Sequence, residues 1–304
     1  MTTKNLLAPN VIDQDIWITN DGESFVLNNP PNRVIISEEG TGVPPIQYIT
    51  QRGPYQHGES LRDYFLQPRV VQLIIRESFC DRQSYWDGRA ALLDVLRPNR
   101  GINRALSQGT LRKIQPNGTT RDLTCIIQQG PNFSPRQAGQ WDEFAFTETL
   151  RFIAHDPTYF DPHLQIVDFG PQISPATFPM TFPVVFSGYY FSQALVYVGT
   201  WITYPTIVIT GPLMQPHIEN TTTGQIIELN YTLDAGRSIT ISLSYGTKTI
   251  TLDDGTNLIG ALTTDSDLVS WQLISGENDM IIRGYGAATS TKIKFQYFNR
   301  YLGV

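Results

Sequence analysis

From Pro205 to Phe298 the sequence is a succession of short segments in which apolar and polar residues alternate, cut by Gly, Pro, Asn and Asp. In Ser238-Ile239-Thr240-Ile241-Ser242-Leu243-Ser244, Ile239, Ile241 and Leu243 point one way and only Ser and Thr point the other. Lys292-Ile293-Lys294-Phe295-Gln296-Tyr297 repeats the pattern. A period of two held over six or seven residues makes a strand with one buried and one wet face. A run of such strands at roughly ten-residue spacing reads as a sandwich. Almost no ionisable chemistry lies inside it, so this half reads as built to bind or assemble.

The two halves differ in kind. Fourteen of the 17 arginines precede residue 166, as does the single good helical pattern. Tyr85 to Arg97 places Tyr85, Arg89, Leu92, Leu93 and Leu96 on one stripe, with Ser84 as N-cap and Pro98 as stop. Arg33 to Ser37 and Val70 to Arg76 read as strands. Phe144 to His155 reads as a longer one, with Phe144, Phe146, Leu150, Phe152 and Ala154 on one face. Arg112 to Gln115 and Arg121 to Gln128 flank Pro116-Asn117-Gly118-Thr119, and Asn-Gly between strands is a strong hairpin signal. Prolines at 171, 175, 179 and 183 mark a stiff connector. The expected organisation is an N-terminal domain over 1–165, a connector over 166–183 and a C-terminal sandwich over 184–304.

The net charge of −6 argues against sequence-specific nucleic-acid binding, which needs a basic stripe. No apolar run reaches the length of a membrane span, and no signal peptide is evident, so synthesis in the cytoplasm without a membrane anchor is expected. Cys80 and Cys125 flank apolar strands and read as buried free thiols.

Catalytic patterns are missing. His155, Asp156, Asp161 and His163 form the one mixed cluster, but His-Asp-Pro at a strand end is ordinary turn chemistry, and the turn reading is preferred to zinc. Asp253-Asp254-Gly255 is better read as a hairpin turn than as paired catalytic carboxylates. His57 and His217 stand alone in the sequence and read as satisfied surface imidazoles. Neither enzymatic activity nor a cofactor or metal is expected.

Several stretches in a fixed order resemble the distal tail (Dit-like) proteins of long-tailed bacteriophages. They include Arg33-Val34-Ile35-Ile36-Ser37, Tyr64-Phe65-Leu66-Gln67-Pro68-Arg69-Val70-Val71 and Leu92-Leu93-Asp94-Val95-Leu96-Arg97-Pro98. The long strand closes with Ala154-His155-Asp156-Pro157-Thr158-Tyr159-Phe160, similar to that family's ending. Pro205 to Gly211, Pro216 to Asn220, Thr223 to Leu229 and Leu273 to Ile282 are similar to its C-terminal module. The resemblance implies a mainly β chain, with an N-terminal split β-barrel carrying one helix and a hairpin, then a galectin-like β-sandwich. It implies a structural virion protein of the tail tip, forming a homohexameric ring between tail tube and baseplate. The implied partners are its own copies, the tail tube protein, a tail tip or hub protein and a receptor-binding protein. It does not imply sugar binding, since His217-Ile218-Glu219-Asn220-Thr221 departs from the galectin pattern.

Arginine is favoured at interfaces because its planar fork pairs carboxylates and stacks on rings. Arg62 and Arg69 are therefore candidate subunit-interface residues, with a solvated face as the alternative. The hairpin with Arg112 and Arg121 at its base and Asn117 and Gly118 at its turn is expected at a contact between subunits, or else folded back on its own barrel. A competing reading is a host-surface carbohydrate-binding tail module using Tyr189, Tyr190, Phe191, Tyr197, Trp201 and Tyr204.

Overall fold

The computed structural model describes residues 13–98, 108–133, 144–170 and 188–304. The chain divides into two compact units, Met1–Pro162 together with Tyr301–Val304, and His163–Arg300. Residues 171–183, where the proline-spaced connector is expected, lie outside the described residues.

The first unit contains β1 (Gln14–Ile18), β2 (Ser24–Val26), β3 (Arg33–Glu39), β4 (Ile46–Gln51), β5 (Ser60–Leu66) and β6 (Arg69–Ser78). Helix α1 (Arg82–Val95) follows, then β7 (Gly109–Ile114), β8 (Thr120–Gln129), β9 (Ala145–Ala154) and β10 (Tyr159–Phe160). One antiparallel sheet runs in the order β2-β1-β7-β8-β9-β6-β3, with β10 on β8. Alternation decides its faces: β6 turns Arg69, Val71, Leu73, Ile75 and Glu77 inward. On β9 the inward set is Phe146, Glu148, Leu150, Phe152 and Ala154. Glu148 is tolerated among apolar neighbours because it accepts a 2.8 Å hydrogen bond from Asn132 N.

The sheet closes over α1 through Leu92, Val95 and Leu96. Trp17 packs 4.9 Å from Phe152 and donates to the Val95 carbonyl at 2.9 Å, satisfying a helix-end acceptor. A Cβ on Gly109 would stand 2.5 Å from the Trp17 ring, so the indole needs glycine on the strand beneath it. The helix starts earlier than expected. Asp81, not Ser84, is the N-cap, and its carboxylate accepts both Ser84 N at 2.9 Å and Ser84 Oγ at 2.7 Å. Cys125 is buried, which pushes its thiol up to about 12. Cys80 is exposed, contrary to expectation, because it sits just past the end of β6.

The hairpin of β7 and β8 does not project. β7 pairs with β1 and β8 with β9, so both strands lie inside the sheet. Only the turn stands clear, closed by Gly118 N to Gln115 O at 2.9 Å, with Gly118 at φ +82.

The second unit is a sandwich of antiparallel sheets. Its strands are β11 (Gln165–Phe169), β12 (Gly188–Tyr197), β13 (Thr206–Thr210), β14 (Leu213–Asn220), β15 (Gln225–Glu228) and β16 (Thr232–Leu233). β17 (Ser238–Ser242), β18 (Thr249–Leu252), β19 (Gly276–Tyr285) and β20 (Lys292–Tyr297) complete it. One sheet runs β11-β20-β13-β17-β18 and the other β12-β19-β14-β15, with β16 on β14. Ile239, Ile241, Leu243, Ile293 and Phe295 all point into the core, as their alternation predicts. Asp253 and Asp254 form a turn that Arg237 bridges with contacts of 2.6 Å to each. The mainly β class is as the sequence implies.

Two polar devices hold the first unit. Arg69 is 1% exposed, yet no carboxylate among the described residues pairs with it. Its guanidinium donates to the carbonyls of Pro157 at 2.8 Å, Gly40 at 2.9 Å, Gly42 at 2.6 Å and also Leu302, and lies 4.7 Å from the Tyr159 ring centre. Burying a charge is tolerable only when its donors are satisfied, and four carbonyl dipoles do that here. The last residues are held in the same region. Arg121 pairs with Asp161 and lies 3.6 Å over the Tyr301 ring, whose hydroxyl donates to Asp161 at 3.0 Å. The second device is Lys113, which reaches Glu38 at 2.5 Å, Asp15 at 3.4 Å and Asp13 at 3.6 Å. It ties β7 and β1 to β3, strands far apart in the order of the sheet.

Replacing Arg69 by Met should cost the first unit about 4 kcal/mol or more, because each of the four carbonyls left dry costs at least about 1 kcal/mol. Urea unfolding measures it, and a loss below about 1 kcal/mol would show that the cage is not needed. The Lys113 cluster makes a pH prediction. Burial raises the Asp15 carboxyl to about 6 from 3.8, despite the opposing pull of Lys113. Between those values the folded chain keeps a proton that the unfolded chain has lost. Stability from this group therefore falls as pH rises through that window, by at most about 3 kcal/mol at about 1.4 kcal/mol per pKa unit. The stability of Asp15→Asn relative to wild type should rise from pH 4 to pH 7, and a flat difference would contradict the assignment.

Candidate functional site

Between β3 and β6, which pair with each other, the chain leaves the sheet and returns. The excursion is β4 and β5, which form a two-stranded sheet of their own. Every residue of β4 is exposed, and so is every residue of β5 except Leu66. The composition does not suit that exposure: Tyr48 is 58% exposed, Leu61 62% and Phe65 52%. Cross-strand register places Ile46 opposite Leu66 and Tyr48 opposite Tyr64 on one face. A bulge between Ile49 and Thr50 sets Leu61 opposite Thr50, which brings Leu61 onto the Tyr48 face. Ile49 and Phe65 occupy the other face. The ribbon thus carries large apolar side chains on both sides.

The ribbon is shaped at both ends. At the tip, Gln56 accepts from Gly53 N at 2.9 Å and donates to Ser60 Oγ at 2.9 Å, and Tyr55 stands fully exposed at φ +62. At the base, Gln67 N donates to Pro45 O at 2.8 Å. The Arg69 cage takes Gly40 and Gly42 from the chain entering the ribbon, while Arg69 itself begins the strand leaving it. Gly40 sits at φ +86, where a Cβ would lie 2.0 Å from Val70 O, so the entry admits no side chain.

The arginines expected at a subunit interface divide. Arg62 is on the ribbon, at its bulge, donating to Gln51 at 2.8 Å. Arg69 is a correction: a side chain this deeply buried cannot reach a neighbour, and its donors are used within the unit. Arg112 makes a two-pronged pair with Asp122, both bonds 2.7 Å, and Arg121 is held by Asp161. Asn117 and Gly118 are exposed at their turn, where Asn117 accepts from Thr119 N at 2.9 Å. The sequence drew attention to arginine where it clamps the interior. It missed the ribbon, whose signal was the apolar and aromatic residues Ile46, Tyr48 and Ile49 on one side of Gly53-Pro54 and Leu61, Tyr64, Phe65 and Leu66 on the other.

The other candidates are occupied locally. Asp156 accepts from Thr158 N at 3.2 Å and Thr158 Oγ1 at 2.7 Å, and Asp161 holds Arg121. His217, isolated in the sequence, is a satisfied imidazole near the surface: Glu228 lies 3.0 Å from Nδ1 and Glu219 3.4 Å from Nε2. Of the clustered aromatics, Phe191 and Tyr197 belong to the core, while Tyr190 is exposed.

Comparison with known proteins agrees with this architecture. Residues 198–301 match the family described as siphovirus-type tail component, C-terminal domain. No curated protein sequence matches the chain. Among solved structures, the Dit protein of SPP1, described as a paradigm of the hub adsorption apparatus in phages infecting Gram-positive hosts, superposes with a TM-score of 0.59. It is 13% identical over 93% of this chain and 98% of that one. A chain of the phage P2 baseplate in its activated, calcium-bound conformation follows, with TM-score 0.48, 9% identity, and coverage of 97% and 100%. The resemblance to distal tail proteins is thereby borne out: residues 198–301 match the model of the siphovirus-type tail component C-terminal domain, and the chain has the fold of SPP1 Dit.

Proposed function

We propose that this protein is a structural subunit at the distal end of a phage tail, where copies close into a ring through the β4–β5 ribbon. The carrying observation is that ribbon, with apolar side chains on both faces and no sheet of its own beyond two strands. An isolated two-stranded ribbon is marginal in water, so a partner surface supplies what stabilises it. An arm of one copy received by a different surface on the next is a heterologous contact, and repetition of one such contact closes a ring. A six-membered ring is the expectation that the resemblance carries.

The unit that bears the ribbon, expected over 1–165, is assigned ring formation, and the sandwich, expected over 184–304, faces other tail components. The tail tube protein, a hub protein and a receptor-binding protein are the proposed neighbours, and the virion tail tip the proposed location. The role is structural rather than enzymatic, in keeping with its siphovirus-type tail domain. Arg62, Asn117 and Gly118, all on exposed segments, remain proposed contact residues.

Changing Tyr48 and Phe65 together to Asp should convert a ring-sized species to monomer in light scattering. Circular dichroism and melting temperature should hold, since exposed side chains away from packing shift stability by only about 0.5 kcal/mol. Wild-type protein that stays monomeric at high concentration, or a double variant that still assembles, would sink the proposal.

A further inference from the structure

One face of the sandwich carries an ordered row of side chains that nothing in the ring proposal uses. On the outer face of β12-β19-β14-β15, register aligns Tyr190 with Arg283, Arg283 with His217, and His217 with Glu228, one residue from each strand. The side chains join in a continuous chain. Arg283 lies 5.8 Å from the Tyr190 ring centre, and its guanidinium is 3.5 Å from Glu219. Glu219 lies 3.4 Å from His217, and His217 3.0 Å from Glu228. At the aromatic end Tyr285 pairs with Gly188, diagonal to Tyr190, and both tyrosines are exposed.

A row meant only to be wet needs no shared geometry, yet each polar group here is oriented by the next, so little ordering cost remains for a ligand. The exposed tyrosine faces offer flat apolar area with a polar rim. Planar carboxylate, guanidinium and imidazole groups offer donors and acceptors at fixed spacing beside them. Stacked rings match the C–H face of a pyranose, and fixed planar groups match its neighbouring hydroxyls. The charge narrows the class further. Two carboxylates stand with one guanidinium and one imidazole, so the row has no excess of positive charge to attract phosphate, sulfate or uronate groups.

We propose that this face is a binding site for a neutral saccharide, with Tyr190 as the stacking platform and Arg283, Glu219, His217 and Glu228 as the hydroxyl-binding row. The site lies wholly within the second unit, so it does not depend on ring closure, and either proposal can fail without the other.

Saturation-transfer NMR on the full chain tests it. The probes are glucose, galactose, rhamnose, N-acetylglucosamine and their short oligosaccharides, each at roughly 10 mM, ten times a millimolar dissociation constant. Glucuronic acid and glycerol phosphate serve as anionic probes. At least one neutral sugar should give signal through its ring protons, and the anionic probes none. Tyr190→Ala and Arg283→Gln, both at exposed positions, should each weaken binding by roughly tenfold, or about 1.4 kcal/mol, with circular dichroism unchanged. Silence from every neutral sugar, preference for the anionic probes, or signal that survives both substitutions overturns the assignment.

Discussion

The first unit depends on a buried cation held by neutral carbonyl oxygens. Arg69 gathers carbonyls from three places far apart in sequence: the Gly40–Gly42 loop, Pro157 and Leu302. Lysine, with one compact ammonium, could not address that spread, whereas a guanidinium presents five donors in a plane. The cage also decides what stays outside. It holds both feet of the β4–β5 ribbon to the sheet, so the ribbon leaves from a fixed root. The exposure of its aromatic residues is then a built feature and not the fraying of a loose loop.

Much of the architecture was legible. Alternation located the inward faces of β6, β9, β17 and β20, because a one-residue slip would turn every apolar side chain to water. The hairpin turn at Asn117-Gly118 was legible for the same local reason. The role of that hairpin was not. Asn-Gly announces a turn but says nothing of whether its strands have further neighbours, and here β1 and β9 supply them. It is β4 and β5 that stand as a two-stranded ribbon by themselves.

The arginines and His217 show where single-sequence reading stops. The Arg69–Leu302 contact spans 233 positions, and His217 meets Glu228 only because β14 and β15 pair. Residue type says what a side chain can do, while strand pairing says for whom it does it. Arg112 with Asp122 lies between these cases: the pair is ten residues apart, joined by a hairpin whose register is local.

The return of Tyr301–Val304 to the first unit has a temporal meaning. Those residues leave the ribosome only after the whole of His163–Arg300 has been made. The Leu302 carbonyl that completes the Arg69 cage, and the Tyr301 ring under Arg121, are therefore the last pieces to arrive. A nascent chain can form its sheet early, but it cannot finish locking it until synthesis has passed through the sandwich. Chains cut short anywhere in the second unit lack that lock, so the stability of the first unit waits on synthesis of the second.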